Sequence, residues 1–291
     1  MTQIFQSWLP KIPNIAKYIR KNKIKGTLYI FQPQEPTYPW DLIRRSTAVK
    51  YKQKCKLIFV VGNYADVNEL RRITGVDNIE VILYKSIWFD IAYTKLSKAN
   101  NPNPYNRSNY SFDKLFISLN NRIRDYRTFF VDTLFKYNLD GHVSFLEIND
   151  EVKAQFKHWK DPRILELQNK DVHDINQCLF NLPSQWYSTP INLVSETFNE
   201  PLENGDIDIS EKTTYPLLMA KPFLVAGPVN FHKHLQDLGF ELYTEIFDYS
   251  FDSIEKYEDR VDAMIKMVSE LRNESYDELY DKCFDQAKRS A

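Results

Sequence analysis

The sequence predicts an α/β protein with two doubly wound units followed by a helical tail. Apolar strand-like runs alternate with segments of helical periodicity along most of the 291 residues. The strands are continuous apolar runs, which is typical of parallel sheets that are covered on both faces. This alternation stops at the polar, Pro- and Asn-rich segment 99–108 and then begins again, so a domain boundary is expected there.

The N-terminal domain is predicted to cover residues 1–108. Its strands are expected at 26–31, 56–61 and 79–84. Helices are expected at 40–52 and from Asp66, a residue suited to cap a helix, to about Ile73. The loop at 32–39, which leaves the first strand, is rich in proline.

The second domain is predicted to cover residues 109–251, with a charged helical tail at 252–291. Strands are expected at 114–119 and 142–147, and two more between Ile191 and Val225 on either side of a helix. Further helices are expected at 125–137 and 231–238. Short helices and loops are expected between residues 148 and 190.

Composition narrows the classes of function. A formal net charge of −1 argues against a general nucleic-acid coat protein. The three cysteines are widely spaced, which favours buried thiols over disulfides or zinc ligands. The pair Asp206 and Asp208 is interpreted as solvated loop, and His232 and His234 as helix residues, so no metal site is expected. The longest apolar run is too short to cross a bilayer, and a soluble, cytoplasmic protein is expected.

A turn between a strand and a helix collects groups that suit a diphosphate. Asn120 ends the strand, and Arg122, Arg124 and Arg127 follow at the start of the helix. Ligands of open α/β sheets bind at the carboxyl ends of the strands, and a guanidinium can bind two phosphate oxygens together. With 7 glycines in the chain, a glycine-rich phosphate cradle is largely excluded, so side chains must hold the phosphates. The alternative interpretation is a solvated, salt-bridged start of a helix.

A second turn of the same kind lies further along the chain. Glu196 follows a strand, and Glu211 and Lys212 begin the next helix. A helix N-terminus with a lysine favours an anion, and the two glutamates could accept hydrogen bonds from ribose or donor-sugar hydroxyls. Lys221 is expected at the surface, outside this site. The alternative interpretation is an ordinary βαβ unit with a charged loop.

These segments resemble the nucleotide-binding half of the α-1,3-fucosyltransferase family. The matching runs are 194–196 (Val-Ser-Glu), 209–212 (Ile-Ser-Glu-Lys), 222–227 (Pro-Phe-Leu-Val-Ala-Gly) and 114–120, followed by Arg127-Thr-Phe-Phe130. The chain departs from the family pattern at Thr197, where the family has asparagine, and in the long loop 199–208. The resemblance covers about residues 114 to 243.

The resemblance implies a GT-B-like enzyme with two Rossmann-like domains. It would be a glycosyltransferase moving a sugar from a nucleotide diphosphate sugar to a glycan, a modified nucleobase or another hydroxyl acceptor, without a required cofactor. If viral, it would act in the host cytoplasm. Arg127 and Lys212 would meet at the pyrophosphate, and a general base, Glu35 or Asp41, would come from the N-terminal domain. The alternative is a non-catalytic GT-B-like protein that binds a nucleotide or glycan as an interaction module.

Overall fold

The computed structural model divides the chain into two compact units, Met1–Asp90 and Ile91–Ala291. The described residues are 3–6, 26–32, 55–61, 79–83, 101–120, 123–145, 151, 154–158, 182–202, 205 and 207–290. The boundary expected at 99–108 stays a prediction.

The first unit contains a parallel four-stranded sheet. Its strands are β1 (Gln3–Gln6), β2 (Gly26–Gln32), β3 (Cys55–Val61) and β4 (Ile79–Leu83), in the order β1-β2-β3-β4. The three predicted strands are confirmed. Strand β1 was missed, since its sequence Gln-Ile-Phe-Gln has only a two-residue apolar centre. The helices expected at 40–52 and 66–73 lie outside the described residues.

The second unit contains another parallel four-stranded sheet. Its strands are β5 (Phe116–Asn120), β6 (Gly141–Phe145), β7 (Ile191–Ser195) and β8 (Phe223–Ala226). The order β6-β5-β7-β8 puts β6 on one side of β5 and β7 on the other. The direction of winding therefore reverses at β5, and the carboxyl ends of β5 and β7 form the kind of crevice where such sheets bind ligands.

Five helices of the second unit lie within the described residues. They are α1 (Asp125–Lys136), α2 (Glu211–Leu218), α3 (Phe231–Asp237), α4 (Tyr257–Glu270) and α5 (Tyr276–Ser290). The helical tail is confirmed as α4 and α5, which a short 3-10 turn separates. In the part of the chain that the structure describes, no helix combines the length and apolar character that a membrane span requires.

An aromatic cluster attaches the tail to the rest of the second unit. Tyr280 of α5 is fully buried, and its ring centroid lies 4.8 Å from that of Tyr110. Arg107 stacks over Tyr280 and forms ion pairs with Asp277 and Asp281 on α5. The buried face of α5 is therefore part of the core of this unit.

Candidate active site at the carboxyl end of β7

Glu196, the first residue after β7, is a buried carboxylate with four hydrogen-bond donors. Oε2 accepts from the Thr197 N–H at 2.6 Å and from the Ser210 hydroxyl. Oε1 accepts from the Ser210 N–H at 2.9 Å and from the Thr213 hydroxyl at 2.8 Å. The side chain thus ties the end of β7 to the first turn of α2.

These four bonds use the acceptor sites that a carboxylate offers. The expected contact of Glu196 with a sugar hydroxyl stays a prediction, and the geometry gives this residue a positioning role instead. Only 1% of Glu196 is exposed, so a ligand hydroxyl would have to displace a protein donor to reach it.

Lys212 lies in the first turn of α2 and reaches the same loop. Its Nζ donates to the Thr197 hydroxyl at 2.8 Å and to Oε1 of Glu211 at 2.9 Å. Ser210 caps the helix by accepting from the Lys212 N–H at 3.2 Å. Burial raises the pKa of the Glu211 carboxyl, but Lys212, a backbone N–H and Arg127 outweigh it, so the pKa falls below its ordinary value.

Helix α1 reaches the same two residues from the other side. Nη2 of the buried Arg127 donates to the carbonyl of Glu196 at 3.3 Å. The carbonyl of Thr197 accepts from Nη1 of Arg124 at 3.3 Å and from the hydroxyl of Tyr126. We call Glu196 and Thr197, together with the helix starts that bind them, the β7 edge.

Three cationic side chains bind groups of the β7 edge. Arg124 and Arg127 donate to backbone carbonyls there, and Lys212 donates to Thr197 and Glu211. Burial lowers the pKa of Arg127, but a guanidinium keeps its charge in proteins. With the N-terminus of α2 beside them, these charges favour an anionic ligand.

The other predicted site residues are distributed as follows. Asn120 ends β5 and is fully buried, where its N–H donates to the Ser144 hydroxyl at 3.0 Å and its amide to the Ser118 hydroxyl at 3.1 Å. The Oδ1 atom of Asn120 has no hydrogen-bond partner among the described residues. Arg122, Glu35 and Asp41 lie outside the described residues, so their roles stay predictions.

Arg260 of α4 organises the neighbouring loops and was not found from the sequence. Its Nη2 donates to the carbonyls of Gly227 at 2.9 Å and Asn199 at 3.4 Å. Its Nη1 donates to the carbonyls of Ile254 and Glu255. The residue is 4% exposed. A lone arginine in a charged helix gives no sequence signal for this role, because its partners are backbone atoms of distant loops.

The surface position expected for Lys221 is wrong. The side chain is fully buried, and its Nζ donates to the carbonyls of Trp186 and Thr189. The nitrogen also lies 5.1 Å from the ring centroid of Trp186 and 5.9 Å from that of Tyr110. Burial holds the pKa of Lys221 well below its ordinary value, because no carboxylate among the described residues compensates it.

Two further expectations are settled by burial and hydrogen bonding. Asp208 is buried, so its interpretation as solvated loop is wrong, and Asp206 lies outside the described residues. His232 lies on helix α3, as predicted. Its Nε2 accepts from the Val225 N–H at 3.0 Å, and its Nδ1 bonds Asp252 at 2.8 Å, so both ring nitrogens are occupied.

Comparisons with known proteins found no match to this chain. No family model matches the chain, and no curated protein or solved structure matches it. The functional assignment therefore rests on the geometry of the β7 edge and on the resemblance of its residues to those of the fucosyltransferases.

Proposed function

We propose that the second unit binds a nucleoside diphosphate sugar at the β7 edge and transfers the sugar to a hydroxyl acceptor. One observation carries this proposal. Arg127 and Lys212 lie on different helices but contact consecutive residues. Arg127 bonds Glu196, and Lys212 bonds Thr197. They do so beside the point where the strand order reverses, which is the usual ligand position in open α/β sheets.

Fixed cations at this position suit the chemistry of glycosyl transfer. When the bond from the sugar to the diphosphate breaks, negative charge builds on the leaving phosphate oxygen. Arg127 and Lys212 would stabilise that charge more in the transition state than in the ground state. The Lys212 ammonium has three donors, and the two described bonds leave one for a phosphate oxygen.

The finer parts of the proposal come from the resemblance. They are a GT-B-like arrangement of two Rossmann-like domains, ribose or sugar contacts from Glu211, and a general base such as Glu35 or Asp41. The acceptor would be a glycan or a modified nucleobase. Two parallel four-stranded sheets, one in each unit, are compatible with this architecture.

One observation favours a second candidate, a non-catalytic nucleotide-binding module. Arg127 and Lys212 both bind protein groups, and Glu196 accepts four protein donors, so the β7 edge is a self-consistent structural element. A protein that has lost catalysis would keep such an element. Binding of nucleotide with no sugar transfer or sugar-nucleotide hydrolysis would identify this second function.

Calorimetric titration with a panel of nucleoside diphosphates and their sugars tests the binding step. Lys212→Ala should weaken binding about ten- to a hundredfold, because one charge-assisted contact contributes about 1.5–3 kcal/mol. The matched control is Lys256→Ala, since that lysine is 65% exposed and pairs only with a surface aspartate. Equal affinity in both variants, or no nucleotide binding by the wild type, would contradict the proposal.

A further inference from the structure

A cavity of about 370 Å³ lies along helix α1, outside the β7 edge. Side chains of α1, of segment 154–158 and of α4 line it. We call this cavity the α1 groove. Its volume falls in the range of small-molecule sites, about 300–1,000 Å³. Nothing in the proposed transfer reaction uses it.

An aspartate–histidine pair forms one wall of the groove. Oδ2 of Asp132 bonds Nδ1 of His158 at 2.8 Å, and Oδ1 accepts from the His158 N–H at 2.8 Å. The two bonds fix the orientation of the ring. Because a carboxylate oxygen accepts, the Nδ1 atom carries the proton of its bond to Asp132. The Nε2 atom is then left to exchange a hydrogen bond with a ligand hydroxyl, and the side chain of His158 is 42% exposed.

A second polar cluster completes the groove. Asp262 of α4 bonds Lys136 and accepts from the Tyr137 hydroxyl at 2.9 Å. The side chains of Lys136 and Asp262 are 46% and 36% exposed, so both can also reach a ligand in the groove.

The charges of the lining select against several ligand classes. Three carboxylates, Asp125, Asp132 and Asp262, face two lysines, Lys136 and Lys157, so a phosphate is disfavoured. No group of three metal-binding side chains occurs in the described ranges, which argues against a cation held by these carboxylates. Nine of the ten lining residues carry polar groups, but most of the surface that they expose in the groove is carbon. A ligand that combines neutral donors and acceptors with apolar C–H surface fits this lining best.

We propose that the α1 groove binds a neutral saccharide, with its hydroxyls bonded to Asp132 and His158. Carboxylate oxygens accept from sugar hydroxyls, and the lysine and glutamine groups of the lining donate to them. The ring of Phe129 offers the apolar surface on which the C–H face of a sugar can pack. Saccharide binding here does not depend on nucleotide binding at the β7 edge.

The test is a titration of the full chain with the methyl glycosides of glucose, galactose, mannose and fucose. Saturation-transfer NMR detects binding, and calorimetry measures the affinity. At least one glycoside should bind the wild type. His158→Ala and Asp132→Asn should each lower its affinity about tenfold, the loss expected for one hydrogen bond. Thermal unfolding of each variant shows whether the fold is kept.

Matched controls separate this site from the β7 edge. Lys212→Ala should leave glycoside affinity unchanged, and His158→Ala should leave nucleotide affinity unchanged. A parallel titration with putrescine, a cationic diamine, tests whether the carboxylates of the groove bind a cation instead of a saccharide. Saccharide binding in the groove is overturned if no glycoside binds, if only putrescine binds, or if glycoside affinity survives both groove variants in folded protein.

Discussion

The β7 edge and the α1 groove each contain a central carboxylate, but the two carboxylates have different surroundings. Glu196 accepts four hydrogen bonds from Thr197, Ser210 and Thr213. Asp132 accepts two, both from His158. A carboxylate offers about four acceptor sites, so Asp132 keeps two for other donors. Glu196 therefore fixes the position of the loop after β7 and of the start of α2. Asp132 still has acceptor sites that a ligand could use.

Helix α1 contributes to both regions from different faces. Arg127 is directed to the β7 edge, and Asp132 lies five residues later in the wall of the groove. Five residues correspond to about 140° around an α-helix. The two sites are therefore attached to one rigid element while their side chains face different surroundings.

The largest effect is expected at Glu196. Glu196→Ala leaves the Ser210 N–H, the hydroxyls of Ser210 and Thr213 and the Thr197 N–H without their acceptor inside the protein. The free energy of unfolding should fall by about 3–5 kcal/mol, the range for breaking a buried charged network. Urea denaturation measures it. A loss under about 1 kcal/mol would remove the distinction between this carboxylate and Asp132.

Lys221 extends the comparison to a buried amine that has no carboxylate partner among the described residues. The folded-state pKa of Lys221 is lowered, and the unfolded chain keeps a value near 10.5. Between these two values the unfolded chain binds a proton that the folded protein does not. Stability should therefore rise with pH in this window, by at most about 1.4 kcal/mol per pH unit.

Lys221→Met removes the titrating amine and keeps the side-chain length. Urea denaturation between about pH 7 and pH 9 should show a smaller rise in stability with pH for the variant than for the wild type. Equal slopes would mean that the buried amine keeps its proton, with the two carbonyls and the aromatic rings compensating the charge.

A smaller loss of stability is expected at Asp132. Asp132→Asn weakens two hydrogen bonds to the half-exposed His158. The free energy of unfolding should therefore fall by about 1 kcal/mol. Nucleotide affinity should be unchanged, whereas glycoside affinity should fall. A loss as large as that of Glu196→Ala would show that Asp132 is a structural carboxylate, and the contrast between the two regions would fail.

The smallest effect is expected at Lys136. Its side chain is 46% exposed, and exposed ion pairs contribute about 0.2–1 kcal/mol. Lys136→Ala should change the free energy of unfolding by about 0.5 kcal/mol, and added salt should reduce the difference between variant and wild type. A loss of several kcal/mol would show that the groove is part of the core.

The sequence was sufficient for features that depend on local pattern. Apolar runs predicted seven of the eight strands, β2 to β8. The parallel arrangement brings Arg127 and Lys212 together at one edge. Both residues follow strands, and the carboxyl ends of parallel strands share an edge. Position along the strand was therefore enough to find their meeting point.

Features that depend on distant backbone atoms could not be predicted. Lys221 is buried because the carbonyls of Trp186 and Thr189 receive its amine, and these lie 35 and 32 residues away. The Asp132–His158 pair joins residues 26 positions apart, and His158 lies in segment 148–190, where the sequence predicts only short helices and loops. A sequence pattern reports which groups are charged, but it does not report which carbonyls face them.

Arg260 has a consequence for the order in which the molecule is built. Its guanidinium joins the loops after β7 and β8, yet it belongs to a helix that follows every strand of that sheet. Because synthesis proceeds from the N-terminus, all four strands leave the ribosome before this arginine does. During that interval the sheet can pair, but the loops at its carboxyl edge lack the arginine that joins them. If this edge binds nucleotide as proposed, that ability should arise late in synthesis, after the tail has emerged.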